Sequence, residues 1–291
     1  MGRHPRSLAF FVAFVLSVLA PPPARLKAQV KPPQRIISVI PAVTEMLFTI
    51  GAGSQVVGVG SFDHYPPQVE ALPRVGALLD PDLERILSLK PDLVAVYASQ
   101  TDLRTQLERA GIPMYVYSHA GLADVTATIR QLGERVGHRD AAMKLASGIE
   151  SEIRAVRKRV SSFRRPRTLV VFGREAGSLR GIYASGGVGF INDMVEAAGG
   201  DNVFADVKQQ AVQATTELIL ARRPEVVLEL RMTAISPDEI RREIEVWNAL
   251  SSLPAVRAHR VYILNDQRTV VPGPRVAEGI GRIASVLHSR E

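Results

Sequence analysis

Two stretches of sequence that lie 133 positions apart decide the fold: LERILSLKPDLVAVY (83–97) and TELILARRPEVVLEL (216–230). Each starts with the apolar spacing of a short amphipathic helix, turns at a proline and continues as an apolar run typical of a buried strand. A helix followed directly by a buried strand is the repeating unit of a parallel α/β sheet. The repetition therefore predicts two equivalent α/β halves.

The same alternation continues on both sides of the two stretches, with one interruption. From 139 to 162 strand signals and prolines are absent, and apolar residues recur at helical spacing. These residues are Leu145, Ile149, Ile153, Val156 and Val160. Beyond Pro166 the alternation resumes, and the capping box SPDE (236–239) predicts the start of a further helix.

The sequence thus predicts an α/β protein made of two doubly wound lobes joined by one long α-helix. The N-terminal lobe is expected at 35–138, the linker helix at 139–162 and the C-terminal lobe at 167–291. Ligands of open α/β sheets bind beyond the carboxyl ends of the strands. We therefore expect a ligand cleft between the lobes.

Residues 1–28 have the pattern of a secretory signal peptide. Two arginines precede a mainly apolar run of 13 residues, and cleavage is expected after Ala28. Without this segment the formal net charge falls from +7 to about +3, which does not favour a nucleic-acid partner. The 291 residues contain no cysteine to form a disulfide or to carry a lipid. We expect a monomer in the periplasm that is not anchored by lipid.

Several segments together resemble the helical-backbone substrate-binding proteins of ABC importers, and among them the periplasmic cobalamin-binding branch. The matching segments are RIISVIPAVTEMLFTIGAG, VVGVGSFDHYPPQV, DLERILSLKPDLV and TTELILARRPEVV, with weaker matches at AGGDNVF and GPR. They extend over about 35–287. The resemblance implies a rigid two-lobed receptor that delivers a metal chelate to a permease dimer. Cobalamin or another corrinoid is the first candidate, and a ferric siderophore or haem is the alternative.

The resemblance also gives a role to the glutamate repeated in the two stretches. In the family, one glutamate on each lobe pairs with arginines of the permease, and the matching residues here are Glu84 and Glu217. A glutamate in the first turn of a helix also complements the helix dipole without any partner. Both roles remain open at this point, and they are compatible.

Loop residues that follow predicted strands are the candidate ligand contacts. In the N-terminal lobe they are Pro41, Ala42, Phe62, His64, Tyr65, Leu78 and Ser99. In the C-terminal lobe they are Arg174, Tyr183, Ser185, Arg231, Asp266, Arg268 and Arg275. A broad ring system needs apolar and aromatic walls with polar groups at the rim. The four arginines favour instead a ligand with carboxylates or an anionic ferric chelate.

The aromatic walls of the cobalamin branch are only partly present. Of the three large rings that the resemblance implies, Phe62 keeps a ring, whereas the matching Leu78 and Ala211 do not. The single tryptophan, Trp247, falls on a predicted helix away from these loops and is expected in the core. The ligand class therefore stays open between corrinoid, haem and siderophore.

No motif typical of a protein metal site, a nucleotide cradle or a catalytic nucleophile is present, so we expect neither a resident cofactor nor catalysis. His64 and His119 could approach the metal of a bound chelate, and Tyr65 or Tyr117 could approach haem iron. Two other functional classes remain. One is a signalling or scaffold protein without a ligand, and the other is a metal-assisted hydrolase that uses Asp63, His64, His119 and Glu175.

Overall fold

The computed structural model describes residues 1–2, 31–118, 120–233 and 235–289. The predicted signal peptide beyond its first two residues, and His119, therefore lie outside the described residues. Within the described part of the chain, no helix is both long enough and apolar enough to cross a membrane.

The first sheet is formed by strands of the N-terminal half. The strands are β1 (Ile36–Ser38), β2 (Val56–Val59), β3 (Leu93–Tyr97) and β4 (Met114–Tyr117). They pair in parallel in the order β2–β1–β3–β4. The helices of this half are α1 (Pro41–Thr49), α2 (Leu83–Ser88), α3 (Thr101–Arg109) and α4 (Leu122–Val136).

The second sheet is mixed, and its order is β10–β9–β5–β6–β8. Its strands are β5 (Arg167–Gly173), β6 (Ile182–Ser185), β8 (Ala211–Ala214), β9 (Val226–Arg231) and β10 (Val261–Asn265), and the short β7 (Asp201–Asn202) pairs with β5. Strands β5, β9 and β10 are parallel, whereas β6 is antiparallel to both β5 and β8. The helices are α6 (Phe190–Ala197), α7 (Thr216–Arg222), α8 (Pro237–Glu245), α9 (Pro254–Arg257) and α10 (Val276–Leu287).

One 22-residue helix, α5 (Arg139–Val160), connects the two sheets. Its buried side chains recur at helical spacing and pack mainly against α4 and α10. Gly133 allows the close approach of α4 to α5, because a Cβ atom at this position would lie 2.2 Å from the Cβ of Ala142. Two sheets flanking one helix confirm the predicted α/β class and its two lobes, while the exact lobe boundaries stay a prediction.

The lobes share more than the linker helix. The chain from Pro32 to Glu291 forms one compact unit, and one apolar core runs from the first sheet through α5 to α10. In addition, the backbone N–H of Leu122 at the start of α4 donates to Oδ2 of Asp193 on α6, at 2.8 Å. A second apolar cluster surrounds Trp247, which is fully buried as predicted.

The repeated stretches occupy equivalent places in the two sheets. In the first sheet α2 leads into β3, which pairs with β1, and in the second α7 leads into β9, which pairs with β5. Asp92 before β3 accepts the backbone N–H of Arg35 at 2.8 Å, and Glu225 before β9 accepts that of Arg167 at 2.9 Å. The repetition in sequence is therefore also a repetition of contacts.

Candidate ligand cleft and docking glutamates

A cavity of about 400 Å³ lies between the two lobes. Phe62 and His64 line it from the loop after β2. The opposite side comes from the loop after β9, the last residue of β10 and the loop after β10: Met232, Thr233, Asn265 and Gln267. All these loops follow the carboxyl ends of strands, which is the edge where open α/β sheets bind ligands. Phe62 is 61% exposed and Met232 54% exposed, so apolar surface from both lobes is available to a ligand.

The other predicted contacts of the N-terminal lobe fall in three places. Tyr65 is partly exposed beside Arg275. Leu78 and Ser99 line a separate groove of about 530 Å³, together with the highly exposed Leu79. Pro41 and Ala42 form the first turn of α1, where Pro41 is half-buried and Ala42 is buried. Of the seven predicted residues, the structure therefore brings Phe62 and His64 to the interlobe cavity.

The loop that carries Phe62 is held by charged neighbours. His64 Nδ1 lies 3.2 Å from Oε1 of Glu70, and the guanidinium of Arg74 binds Oε2 of Glu70 at 2.7 Å. The hydrogen bond from His64 and the charge of Arg74 hold the pKa of the Glu70 carboxyl below its usual range. His64 is thus oriented by a carboxylate of its own lobe.

Asp63, between the two cavity residues, is almost completely buried. Burial raises the pKa of its carboxyl to about 6, against the opposing effects of the Thr44 hydroxyl and the Arg74 guanidinium. Among the described residues, neither carboxylate oxygen of Asp63 has a partner with full hydrogen-bond geometry. A carboxyl of this kind favours the protonated form more than an exposed one does.

Arg275 joins the two lobes. Its guanidinium donates from Nε to Oε2 of Glu45 at 2.9 Å and from Nη2 to Oε1 at 2.6 Å. The same guanidinium lies over the ring of Tyr65, with 3.7 Å between its central carbon and the ring centroid. Burial raises the pKa of the Glu45 carboxyl, and Arg275 opposes this rise. Glu45 was not predicted as a site residue, because its partner lies 230 positions away in the sequence.

Arg174 is committed to a buried ion-pair network inside the C-terminal lobe. Its side chain is 1% exposed, and it binds Glu229 and Glu243, each at 2.7 Å. Trp247 donates its indole N–H to Oε1 of Glu229 at 2.6 Å. Arg231 extends the network, with 3.0 Å to Glu229 and 3.4 Å to Glu243. The structure therefore places Arg174 away from solvent and Arg231 at the edge of this network.

The remaining predicted residues of the C-terminal lobe divide between paired and exposed groups. Asp266 binds Arg268 at 2.6 Å, and Arg268 also binds Glu278 at 3.0 Å. Tyr183 is exposed on β6, whereas Ser185 is buried and donates its hydroxyl to the carbonyl of Gly186. All four predicted arginines are thus paired with carboxylates of the chain itself, which reduces the positive charge they offer to an anionic ligand.

Side chains outside the predicted set also face the cleft region. Met232, Thr233, Asn265 and Gln267 line the cavity, and Phe172 is partly exposed at the end of β5. The available signal was their position directly after apolar strands. The prediction from the sequence included the charged residues of these loops and missed their apolar and amide neighbours.

Glu84 and Glu217 occupy the same position in two short helices. Each is exposed and is the second residue of its helix, α2 or α7. The caps are side chains of the preceding residues, since Asp82 accepts from the N–H of Arg85 and Thr215 accepts from that of Leu218. Backbone N–H groups and the Thr215 hydroxyl hold the pKa of Glu217 below its usual range. Both glutamates combine the favourable dipole position with full access for a partner.

Of the residues of the hydrolase alternative, His119 lies outside the described part of the chain, and the other three do not converge on one metal site. Among the described residues, no group of three or more His, Asp or Glu side chains is arranged to hold a metal ion. Asp63 is buried, His64 is bound to Glu70, and Glu175 pairs with Arg180 in the C-terminal lobe.

Comparisons with known proteins agree with this architecture. A family model described as periplasmic binding protein matches residues 36–268. The ABC transporter substrate-binding lipoprotein YvrC of Bacillus subtilis (strain 168), itself uncharacterised, is 29% identical over 264 residues, which cover 89% of this chain and 81% of YvrC. A vitamin B12-binding protein of Pectobacterium carotovorum subsp. carotovorum (strain PC1) is 28% identical over 262 residues, 88% of each chain.

A solved structure with the same architecture is the apo form of the periplasmic haem-binding protein RhuT from Roseiflexus sp. RS-1. It matches with a TM-score of 0.76 at 26% identity, covering 88% of this chain and 98% of RhuT. The family model spans both lobes and most of the 291 residues. The resemblance inferred from the sequence is thereby confirmed, and the chain belongs to the periplasmic binding protein family.

Proposed function

We propose that this chain is the substrate-binding protein of an ABC importer and captures a metal chelate in the cavity between its lobes. A corrinoid such as cobalamin is the first candidate for the cargo. The observation that carries the proposal is the interlobe cavity itself, lined by exposed Phe62 from one lobe and exposed Met232 from the other. Apolar walls of this kind suit the broad face of a macrocycle, with amide and hydroxyl groups at its edge.

The charges around the cleft support a macrocycle over a strongly anionic ferric siderophore. Arg275, Arg231 and Arg268 are each neutralised by carboxylates of the chain. An anionic chelate would have to compete with these internal ion pairs for the guanidinium groups. One relative is named a vitamin B12-binding protein, which agrees with a corrinoid.

Haem is the second candidate, and Tyr65 favours it. The Tyr65 ring is partly exposed and lies against the Arg275 guanidinium, next in sequence to the cavity residue His64. RhuT, which shares the fold, is named a haem-binding protein. A tyrosine is one of the side chains that hold haem iron in proteins.

Delivery of the cargo is proposed to use Glu84 and Glu217 as contacts to the two halves of a permease dimer. Their duplication at matching, exposed sites supports a two-fold partner. We further propose a non-catalytic monomer that is exported to the periplasm and remains free of a lipid anchor. The signal-like N-terminus and the absence of cysteine support this location.

Calorimetric titration of the protein lacking residues 1–28 with cyanocobalamin, haem and a ferric siderophore tests the cargo. We expect one-to-one binding of cyanocobalamin at micromolar affinity or tighter. Binding of haem alone would select the second candidate, and binding of the siderophore alone would contradict the charge argument. If none of the three binds, the metal-chelate proposal is wrong.

Reversal of both docking charges, Glu84→Lys with Glu217→Lys, tests delivery. We expect this variant to lose stimulation of ATP hydrolysis by the cognate transporter while cargo affinity stays unchanged. The matched control is Glu108→Lys with Glu245→Lys, which reverses one exposed glutamate on each lobe away from α2 and α7. Equal stimulation by the two variants would contradict the docking role.

A further inference from the structure

Two arginines at equivalent places hold the C-terminal ends of α2 and α7. Arg35, directly before β1, donates from Nε to the carbonyls of Leu89 and Lys90 at 3.1 Å and from Nη2 to that of Leu89 at 2.6 Å. Arg167, the first residue of β5, donates from Nη2 to the carbonyl of Arg222 at 2.6 Å. Leu89 and Arg222 are matching positions of the two repeated stretches.

These carbonyls are the groups that a helix end leaves without internal donors. They carry the negative end of the helix dipole, so a guanidinium placed there both satisfies and stabilises them. The helices contain only six and seven residues, a length that is not stable in isolation. Each has a single fully buried side chain, Ile86 in α2 and Ile219 in α7. Their position therefore depends strongly on contacts made at their ends.

The contact is reciprocal in both lobes. Asp92 accepts the backbone N–H of Arg35, and Glu225 accepts that of Arg167, so strand start and helix end are bound in both directions. Between helix and strand, Lys90 and Arg223 adopt left-handed conformations, with φ of 47° and 50°. Non-glycine residues rarely adopt this conformation unless surrounding contacts hold it.

We propose that Arg35 and Arg167 are positioning residues for docking, which fix α2 and α7 on the sheets and thereby set the places of Glu84 and Glu217. The inference rests on the proposed docking role of the two glutamates. A two-fold partner requires both carboxylates at a defined separation. Loosening either helix adds an ordering cost to each docking event, because the helix must then be immobilised on binding.

The test replaces both arginines by glutamine, Arg35→Gln with Arg167→Gln, and measures stimulation of ATP hydrolysis by the cognate transporter. We expect the concentration for half-maximal stimulation to rise about fivefold or more, because docking now has to order both helices. The maximal rate and the cargo affinity should remain unchanged. Amide hydrogen exchange should accelerate in α2 and α7 and not in α3 or α8. The lysine pair, Arg35→Lys with Arg167→Lys, keeps charge and one donor and should restore docking in part.

The matched control is Arg104→Gln with Arg165→Gln, which removes one arginine–carbonyl contact from each lobe outside α2 and α7. Arg104 donates to Ala98 at 3.0 Å and Arg165 to Gly200 at 2.6 Å. We expect docking of the control to equal that of the unmodified protein. An equal rise in the control, or no rise in the Arg35 and Arg167 variant, overturns the positioning role.

The experiments distinguish failure of the docking role of Glu84 and Glu217 from failure of the positioning role of Arg35 and Arg167. If the variant with Glu84→Lys and Glu217→Lys stimulates the transporter normally, the docking role fails and the positioning role fails with it. If that variant is inactive while the glutamine pair docks normally, only the positioning role is overturned. Should the glutamine pair not fold, the single variants Arg35→Gln and Arg167→Gln decide, since normal half-maximal stimulation by both, with normal exchange in α2 and α7, also overturns it.

Discussion

Replacing Arg275 by alanine is expected to destabilise the protein in a pH-dependent way. The Arg275 guanidinium holds both carboxylate oxygens of Glu45 and lies over the Tyr65 ring. Glu45 belongs to α1 of the N-terminal lobe, and Arg275 directly precedes α10 of the C-terminal lobe. The substitution therefore removes an ion pair that braces the two lobes against each other.

The burial of Glu45 and Arg275 determines how much Arg275→Ala lowers the free energy of unfolding. The Glu45 side chain is 3% exposed and that of Arg275 is 19% exposed, so the variant leaves a buried carboxylate without its counter-charge. Removing one partner of a fully buried pair costs about 3–5 kcal/mol, and the partial exposure of Arg275 favours the lower end, about 3 kcal/mol. Loss of the cation–π contact to Tyr65 adds about 0.5–1 kcal/mol.

The sign of the pH dependence follows from the raised pKa of Glu45. Burial raises this pKa, Glu278 adds to the rise and Arg275 opposes it, so the variant has a still higher pKa. A carboxyl with a raised folded-state pKa stabilises the fold when protonated and loses that contribution as the pH rises through the folded-state value. The cost of Arg275→Ala is therefore largest at mildly alkaline pH and shrinks on acidification.

Urea unfolding followed by circular dichroism, at about pH 8 and about pH 5, measures both quantities. The control combines Glu45→Gln with Arg275→Met, which removes both charges, and it should lose less stability than Arg275→Ala at the higher pH. If Arg275→Ala lowers the free energy of unfolding by less than about 1 kcal/mol at that pH, the ion pair between Arg275 and Glu45 does not brace the lobes. An equal loss at the two pH values would refute the assignment of the effect to Glu45.

Three further substitutions test the cleft and the buried carboxylates. Phe62→Ala should change the free energy of unfolding by less than about 0.5 kcal/mol, because Phe62 is largely exposed. The same substitution should weaken cargo binding about tenfold in calorimetry, and an unchanged affinity would exclude Phe62 from the site. Burial raises the pKa of the Asp63 carboxyl to about 6. The free energy of unfolding, measured with urea, should therefore fall by up to about 3 kcal/mol as the pH rises from 4 through 6. Asp63→Asn should flatten this profile. Trp247→Phe removes the indole donor of buried Glu229 and should cost about 1–3 kcal/mol in the same assay, whereas a neutral result would contradict the network.

Most helices and the parallel strands could be predicted from residues that are close together in the sequence. The proline and the apolar run of each repeated stretch place a turn and a buried strand, and β3 and β9 begin two residues after Pro91 and Pro224. The capping box at Ser236 is formed as predicted, with hydrogen bonds in both directions to Glu239. These features depend on neighbours within a few positions, which is why a sequence pattern reveals them.

The antiparallel strands and the ion pairs depend on residues far apart in the chain. Strands β6 and β8 have four residues each and carry exposed positions, so neither gives a long apolar run. The pairing of Arg275 with Glu45 spans 230 positions, and that of Arg174 with Glu229 spans 55. The sequence predicted arginines at the cleft but could not show that the protein's own carboxylates neutralise them.

The continuous apolar core and the ion pair between Arg275 and Glu45 both oppose separation of the two lobes. Because one apolar core extends from the first sheet through α5 to α10, separating the lobes would expose buried side chains such as Ile153 and Ile283. The cavity is therefore preformed, and cargo binding carries little cost of closing the lobes. The separation between Glu84 and Glu217 should then be nearly the same with and without cargo. If Glu84 and Glu217 bind the permease as proposed, their contact is the same in both states, and a partner that distinguishes the loaded protein from the empty one must contact the cleft or the cargo itself.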